Sequence, residues 1–240
     1  MTNHHHNHNK NADEHTAIEA FLKRLDVALS DEEISLITEH FRKKTYNKGE
    51  KIFEEDSKIT TLYCLNKGKI KMFRKGFAGR TYITRMVKSG EFFGIRPYFA
   101  GQKAKTSAEA FEYSEVYSLP TKILEKLISE NVEICRFFLK RVAEELGVAE
   151  ERAVSLTQKH VRGRLAEVLL FLMENYGFEN DGATLDIYLS REDLAALSNM
   201  TTSNAIRTLS LFASEKIIAL DGRKIKIIDP AGLQRISRIG

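Results

Sequence analysis

Apolar positions along this chain change their period several times, and each change marks a different kind of element. Ile18, Phe21, Leu22, Leu25, Leu29, Ile34, Leu36 and Ile37 recur at helical spacing, so short helices are expected between Thr16 and Phe41. Ser30 stands before Asp31, Glu32 and Glu33, a hydroxyl cap followed by acids in the first turn. From Thr45 the pattern shortens. Asn47-Lys48-Gly49 reads as a turn, and strands are expected at Lys51–Glu54, Thr61–Leu65, Lys69–Phe73, Thr81–Val87, Glu91–Gly94, Ser107–Phe111 and Glu115–Leu119. Asn66-Lys67-Gly68, Gly76 to Gly79 and Ser89-Gly90 punctuate them. Many short strands with turn residues between them predict an antiparallel sandwich or barrel rather than a βαβ sheet.

Pro120 closes this region. Lys122 to Leu156 contains no proline and predicts one long helix, whose first part, with Leu124, Leu127 and Ile128, is expected to pack on the strands. Further on, Cys135, Leu139, Val142, Leu146, Ala149, Ala153 and Leu156 are spaced alternately by four and three, a heptad seam. Such a stripe needs a partner, and the simplest one is the same helix from a second copy. A second helix begins near Val161, buries Leu165, Val168, Leu169 and Leu172, and stops near Tyr176-Gly177.

The last third carries the chemistry. Leu189 to Ser198 predicts a short helix capped by Ser190, Asn199-Met200 a tight turn, and Thr201 or Thr202 the cap of a helix running to about Ala213. Leu194, Leu197, Ile206 and Leu209 are expected to meet in a small core. Asp221-Gly222 then joins two apolar strands into a hairpin made basic by Arg223, Lys224 and Lys226. Helix, turn, helix and basic hairpin is the order of a winged helix-turn-helix, in which the second helix enters a major groove and the hairpin reaches a phosphate backbone. On that second helix Thr202, Ser203, Asn204 and Arg207 form the outward and N-terminal face, the candidate base readers. Thr201 and Arg191, at helix N-termini, and Arg223 and Lys224, on the hairpin, are the candidate phosphate contacts.

Composition adds bounds. The 240 residues, 42% hydrophobic and 29% charged with a net charge of +4, suit one or two folded domains and permit an anionic partner without requiring one. Two cysteines without metal-ligand spacing fit a reducing, cytoplasmic compartment. No apolar run approaches the length of a membrane span. His4, His5, His6 and His8 sit in an Asn-rich start, residues 1–15, expected to be a disordered tail although clustered imidazoles can hold a metal.

From about Lys48 to Ile228 the chain resembles the family of cyclic-AMP receptor proteins and fumarate-nitrate reduction regulators, the Crp/Fnr family. The residues that carry the resemblance are Val161-Arg162-Gly163-Arg164-Leu165-Ala166, the Leu189–Leu209 helix-turn-helix and Gly90-Glu91-Phe92-Phe93-Gly94. It implies an α+β chain: a β-roll (jelly roll, cyclic-nucleotide-binding-like) at 16–120, a dimerisation helix at 121–157 and a winged helix-turn-helix at 158–240. It also implies a homodimer that regulates transcription at palindromic promoter sites, with RNA polymerase as a further partner and no catalytic activity. Thr202, Ser203 and Arg207 match the family's base-reading positions, and Thr201 and Arg191 its phosphate contacts. The effector site departs from the family. Ile95 follows Gly94 where cyclic-AMP binders carry a ribose-holding glutamate, and Ala104 and Lys105 stand where they carry an arginine and a serine for the phosphate. Gly94, Ile95, Lys103 and Lys105 mark the candidate effector pocket. Cyclic AMP held in the family's manner is not expected there; the alternatives are another small ligand, or a pocket filled by Phe92, Phe93, Tyr98 and Phe99 that senses nothing. No N-terminal cysteine cluster offers four ligands for an iron-sulfur centre. Haem stays a minor alternative, since His15, His40 and His160 fall outside the predicted strands. Two other readings compete: a ligand-binding or protein-docking dimer that does not read DNA, and a cupin-like metalloenzyme, although the strand segments contain no histidine.

Overall fold

A computed structural model of the chain describes residues 16–76 and 79–239, so the His-rich segment 1–15 lies outside the described residues. Helix α1 (16–25) and α2 (Asp31–His40) come first. The Ser30 hydroxyl accepts the Glu33 N–H while the Glu33 carboxylate accepts the Ser30 N–H, which satisfies two of the amides that begin α2.

Strands β1 (Arg42–Tyr46), β2 (Lys51–Phe53), β3 (Thr61–Lys67), β4 (Ile70–Lys75), β5 (Thr81–Val87), β6 (Phe92–Phe93), β7 (Ser107–Ala110) and β8 (Ser114–Pro120) follow, with the short helix α3 (Ile95–Phe99) after β6. They form two four-stranded sheets, ordered β1-β8-β3-β6 and β2-β7-β4-β5. The first sheet is covered on both faces. Leu65, Val116 and Phe93 point to the core between the sheets, with Ile70, Ala108 and Val87. Leu62, Cys64, Tyr117, Leu119 and Phe92 point the other way, onto Phe21, Ile37, Leu124 and Phe138. A strand buried on both faces reads as a continuous apolar run, as Thr61 to Leu65 does. Burial beside the α1 helix pushes the Cys64 thiol up to about 11, so it is a packed, un-ionised group.

Two features differ from the sequence expectation here. Strand β1 was not visible in the pattern, because Arg42, Lys44 and Thr45 are exposed and only Tyr46 is buried. And the long helix is two: α4 (Thr121–Glu130) and α5 (Val132–Gln158), separated by Asn131 in an extended conformation. The Asn131 side-chain oxygen accepts the N–H of Glu133 and Ile134, starting α5, while its amide donates to the Ala28 carbonyl.

The remaining elements are α6 (Val161–Tyr176), α7 (Arg191–Leu197), α8 (Thr202–Ser214), β9 (Ile218–Asp221), β10 (Lys224–Ile227) and α9 (Pro230–Ile239). Helix α9 packs on α6 and was not expected from the sequence. The chain divides into two compact units, one of residues up to 74 together with 85–145, the other of 75–84 together with the chain from 146 onward. Among the described residues no helix is long and apolar enough to cross a membrane, and no three His, Cys, Asp or Glu side chains gather as a metal ion would need.

Candidate nucleic-acid interface

Helices α7 and α8 are built as two capped helices across a sharp turn. The Ser190 hydroxyl accepts the Asp193 N–H at 3.0 Å and donates to the Asp193 carboxylate at 2.7 Å. Thr201 caps α8 by accepting the Asn204 N–H at 3.2 Å. Between them Asn199 takes a φ of +49°, a conformation asparagine tolerates better than most residues. Arg164 of α6 clamps the turn: its Nε donates to the Ser198 carbonyl at 2.9 Å and its Nη2 to the Asn199 carbonyl at 3.1 Å. It lies in the segment that carried the family resemblance, but its part in holding the turn was not read from the sequence.

Inside the unit, Leu194, Ala195 and Leu197 meet Ala205, Leu209 and Phe212, all buried. Ile206 is not among them. It is 47% exposed, on the outer side of α8, which corrects its placement in the core. The inner row of α8 runs through Ala205, Thr208, Leu209 and Phe212, and the step from Ala205 to Leu209 turns Ile206 away from α7. Ser203 and Arg207 are exposed on this outer side, and Thr202 and Asn204 are half-buried at its N-terminal end. Among the described residues Arg207 makes no ion pair, so its guanidinium is available to a ligand.

The hairpin pairs Asp221 with Lys224 and Ile218 with Ile227, so its two turn residues are Gly222 and Arg223 rather than Asp221 and Gly222. Gly222 has a φ of +54° at the first turn position, where glycine carries no steric cost. Arg223 is therefore at the tip, exposed and without an ion pair among the described residues. The other cations are committed. Lys224 Nζ lies 3.0 Å from a Glu179 carboxylate oxygen and over the Tyr188 ring, and Lys226 Nζ lies 3.2 Å from Asp181. The loop before α7 thus acts as a third strand of the wing, with a Thr184–Lys226 bridge and the Leu185 N–H donating to Ile225. Asp181 also accepts the N–H of Ala183 and Thr184 and the Thr184 hydroxyl, and these bonds hold its carboxyl well below the usual carboxylate range. Arg191 likewise turns inward: its Nη2 donates to the Gly222 carbonyl at 2.7 Å, tying the start of α7 to the wing tip. Its Nη1 is buried without a partner.

In the roll, Gly94 and Ile95 line a cavity of about 40 Å³ with Phe53, Met72, Arg85, Arg96, Thr106 and Glu145. A small-molecule site usually needs roughly 300 Å³ or more. Tyr63 stacks on Phe93 at 5.2 Å and on Phe53 at 5.8 Å and fills the adjoining space. A Cβ on Gly94, whose φ is +79°, would stand 3.0 Å from the Tyr63 ring. Arg85 is held by Glu91 at 3.0 Å and by the Glu145 carboxylate of α5. Lys103 and Lys105 are exposed and do not line the cavity. Of the aromatic residues expected to fill it, Phe93 belongs to the stack, Phe92 faces the α1–α4 core and Phe99 is exposed.

On α5, Ile134 and Phe138 are buried in the roll's outer core, and Val142 packs against it. Leu139 and Leu146 are 67% and 60% exposed, and Ala149 and Ala153 are exposed on the same line. Cys135, Val142 and Leu156 are half-buried along its edge.

Known proteins share this arrangement. The cyclic nucleotide-binding domain family matches residues 43–131, and the Crp-like helix-turn-helix domain family matches residues 163–236. The global nitrogen regulator of Synechococcus elongatus is 24% identical over 193 residues, 79% of this chain and 87% of that protein. The CRP-like cAMP-activated global transcriptional regulator of Mycobacterium tuberculosis is 25% identical over 206 residues, 85% of this chain and 92% of that protein. The structure of FixK2 from Bradyrhizobium japonicum has the same fold, with a TM-score of 0.74 at 24% identity over 82% of this chain and 96% of that one. With a cyclic-nucleotide-binding roll followed by a Crp-like reading unit, the chain belongs to the Crp/Fnr family of transcription regulators.

Proposed function

We propose that the protein is a homodimer that reads a palindromic promoter site and regulates transcription from it. The observation that carries this reading is the outer side of α8, where Ser203 and Arg207 are exposed beside a wing whose tip presents Arg223. Thr202, Ser203, Asn204 and Arg207 meet base edges, while Thr201 and Arg223 meet phosphates. Arg191 and Lys224 serve the same surface indirectly, Arg191 by fixing the wing tip and Lys224 by bonding to Glu179. Residues 121–157 join two copies through Leu139, Leu146, Ala149 and Ala153, with Val142 and Leu156 at the edge. Residues 16–120 form the sensor and 158–240 the reading head. RNA polymerase is the further partner in this proposal.

The roll's signal is not cyclic AMP bound as in the relatives that use it. The cavity beside Gly94 is about 40 Å³, and Ile95, 3% exposed, offers the ribose no acceptor.

Selection of duplexes from a random pool, with and without cell extract, tests the reading. Enrichment of an inverted repeat with half-sites about 34 Å apart, one helical turn, is the expected result. Retention of all sequences alike would leave a dimer that does not read DNA.

Glu179→Gln sharpens the electrostatic side of the proposal. Amide replacement releases Lys224 from its carboxylate, so a further phosphate can be neutralised. The slope of log affinity against log salt should steepen by up to about 0.9 for each copy, about 1.8 for the dimer on its duplex, the value for one added phosphate contact per half-site. An unchanged slope would show that Lys224 stays away from the duplex even when freed.

A further inference from the structure

We infer that Ile206 makes the protein selective for a 5-methylpyrimidine, thymine or 5-methylcytosine, at one position of each half-site. The inference rests on the DNA-reading role of α8 and names the chemistry that one side chain of that helix recognises. Ile206 is 47% exposed on the outer side of α8, one residue before Arg207 and one turn after Ser203. The fold does not use it: the inner row is complete with Ala205, Thr208, Leu209 and Phe212, all buried. Its exposed neighbours toward the helix ends are Ser203 and Ser210, both short, so the isoleucine side chain stands out beyond them. A β-branched side chain in a helix is held near one χ1 rotamer, so Ile206 offers a stiff apolar knob that loses little freedom on contact.

In a major groove, the thymine C5-methyl is the one apolar group on a base edge. Isoleucine against that methyl gains about one methyl group of burial, about fourfold in affinity per half-site. Against a purine edge the same side chain covers N7 or O6 without donating to it, a loss of about fivefold or more. 5-Methylcytosine carries the same methyl at the same place, so methylation of a cytosine at this position strengthens binding. Arg207 beside it reads by hydrogen bonds, and the two residues together distinguish a methyl-bearing base from its neighbour.

The test uses the full-length protein and the duplex recovered from the random pool. Each thymine is replaced in turn by deoxyuridine, which removes only the methyl. The expected result is one thymine per half-site at which the replacement weakens binding about fourfold. At that position 5-methylcytosine should bind about fourfold better than cytosine. In Ile206→Ala, whose side chain is exposed and outside the core, thymine and deoxyuridine should bind alike. Equal binding of thymine and deoxyuridine at every position by the wild-type protein overturns the inference while leaving DNA reading intact, as does a thymine preference that survives in Ile206→Ala. A pool that yields no specific site removes the DNA-reading role and the inference with it.

Discussion

Leu146→Glu should turn the dimer into a monomer without unfolding the chain. Leu146 is 60% exposed and has no place in either core, so a glutamate there costs the isolated chain little. In the proposed dimer the same position is covered by the partner helix. Two carboxylates, one from each copy, then lose water near the twofold axis with no cation opposite. Each buried, unpaired ion costs several kcal/mol after relaxation, so the dimer constant should weaken by about 10³-fold or more. Sedimentation over a range of concentrations measures this directly. Val148→Glu is the matched control: Val148 is 55% exposed, but two residues along α5 its side chain lies on the opposite side of the helix from the Leu139–Leu146–Ala153 line. It should sediment as the wild type does. A Leu146→Glu protein that remains dimeric would place the interface elsewhere. DNA binding supplies a second readout, because a monomer holds one half-site only, and the advantage of linking two heads is lost with the interface.

Much of this architecture was legible in the residue pattern, and what was hidden was hidden for physical reasons. Strands β2 to β8 showed because their apolar residues sit in short runs between turn residues. Gly68, for example, is required: its φ is +91° and a Cβ there would meet the Tyr113 carbonyl at 2.4 Å. Strand β1 was concealed because it pairs only with β8 and puts cations into solvent, as an edge strand does when it is protected from further pairing. The break at Asn131 was concealed because the helical period continues on both sides of it. The signal was present in the asparagine itself, whose carbonyl oxygen is a good helix cap.

In the reading unit the features hidden from the sequence share one cause: position, spacing and charge are local signals, whereas the deciding contacts are remote in sequence. Lys224 and Lys226 look free in a basic hairpin, yet their carboxylates lie more than forty residues earlier, at Glu179 and Asp181. Arg191 looks like a helix-terminal phosphate ligand, yet it bonds a carbonyl thirty-one residues later. Ile206 looks like core because it is the most apolar residue near the middle of α8, while the smaller Ala205 takes the inward position. Caps behaved otherwise. Ser30 and Ser190 cap their helices as expected, and of the two candidates for α8 the cap is Thr201, because a cap bonds an amide two or three residues away and needs no tertiary information.

Arg207→Ala should separate reading from mere attraction. The side chain is exposed, makes no ion pair among the described residues, and is replaced by the residue that best favours a helix, so folding should be unchanged. If Arg207 forms its two hydrogen bonds to guanine O6 and N7, its loss costs about 1–3 kcal/mol per half-site and equalises the four bases at one position of each half-site. Affinity for the symmetric duplex then falls by about twice that free energy, while affinity for random DNA changes far less. Arg207→Lys separates the two roles within one residue. Lysine keeps the charge but has no planar fork, so the salt dependence should persist while the base preference is lost. The measurement is a set of binding curves on duplexes carrying each base in turn at every half-site position, repeated at two salt concentrations. A phosphate contact would give the opposite signature: a uniform loss across all sequences in Arg207→Ala, a salt slope shallower by about 0.9 for each copy, and recovery in Arg207→Lys. That outcome would move base reading to Thr202, Ser203, Asn204 and Ile206, and would lower the specificity this surface can reach.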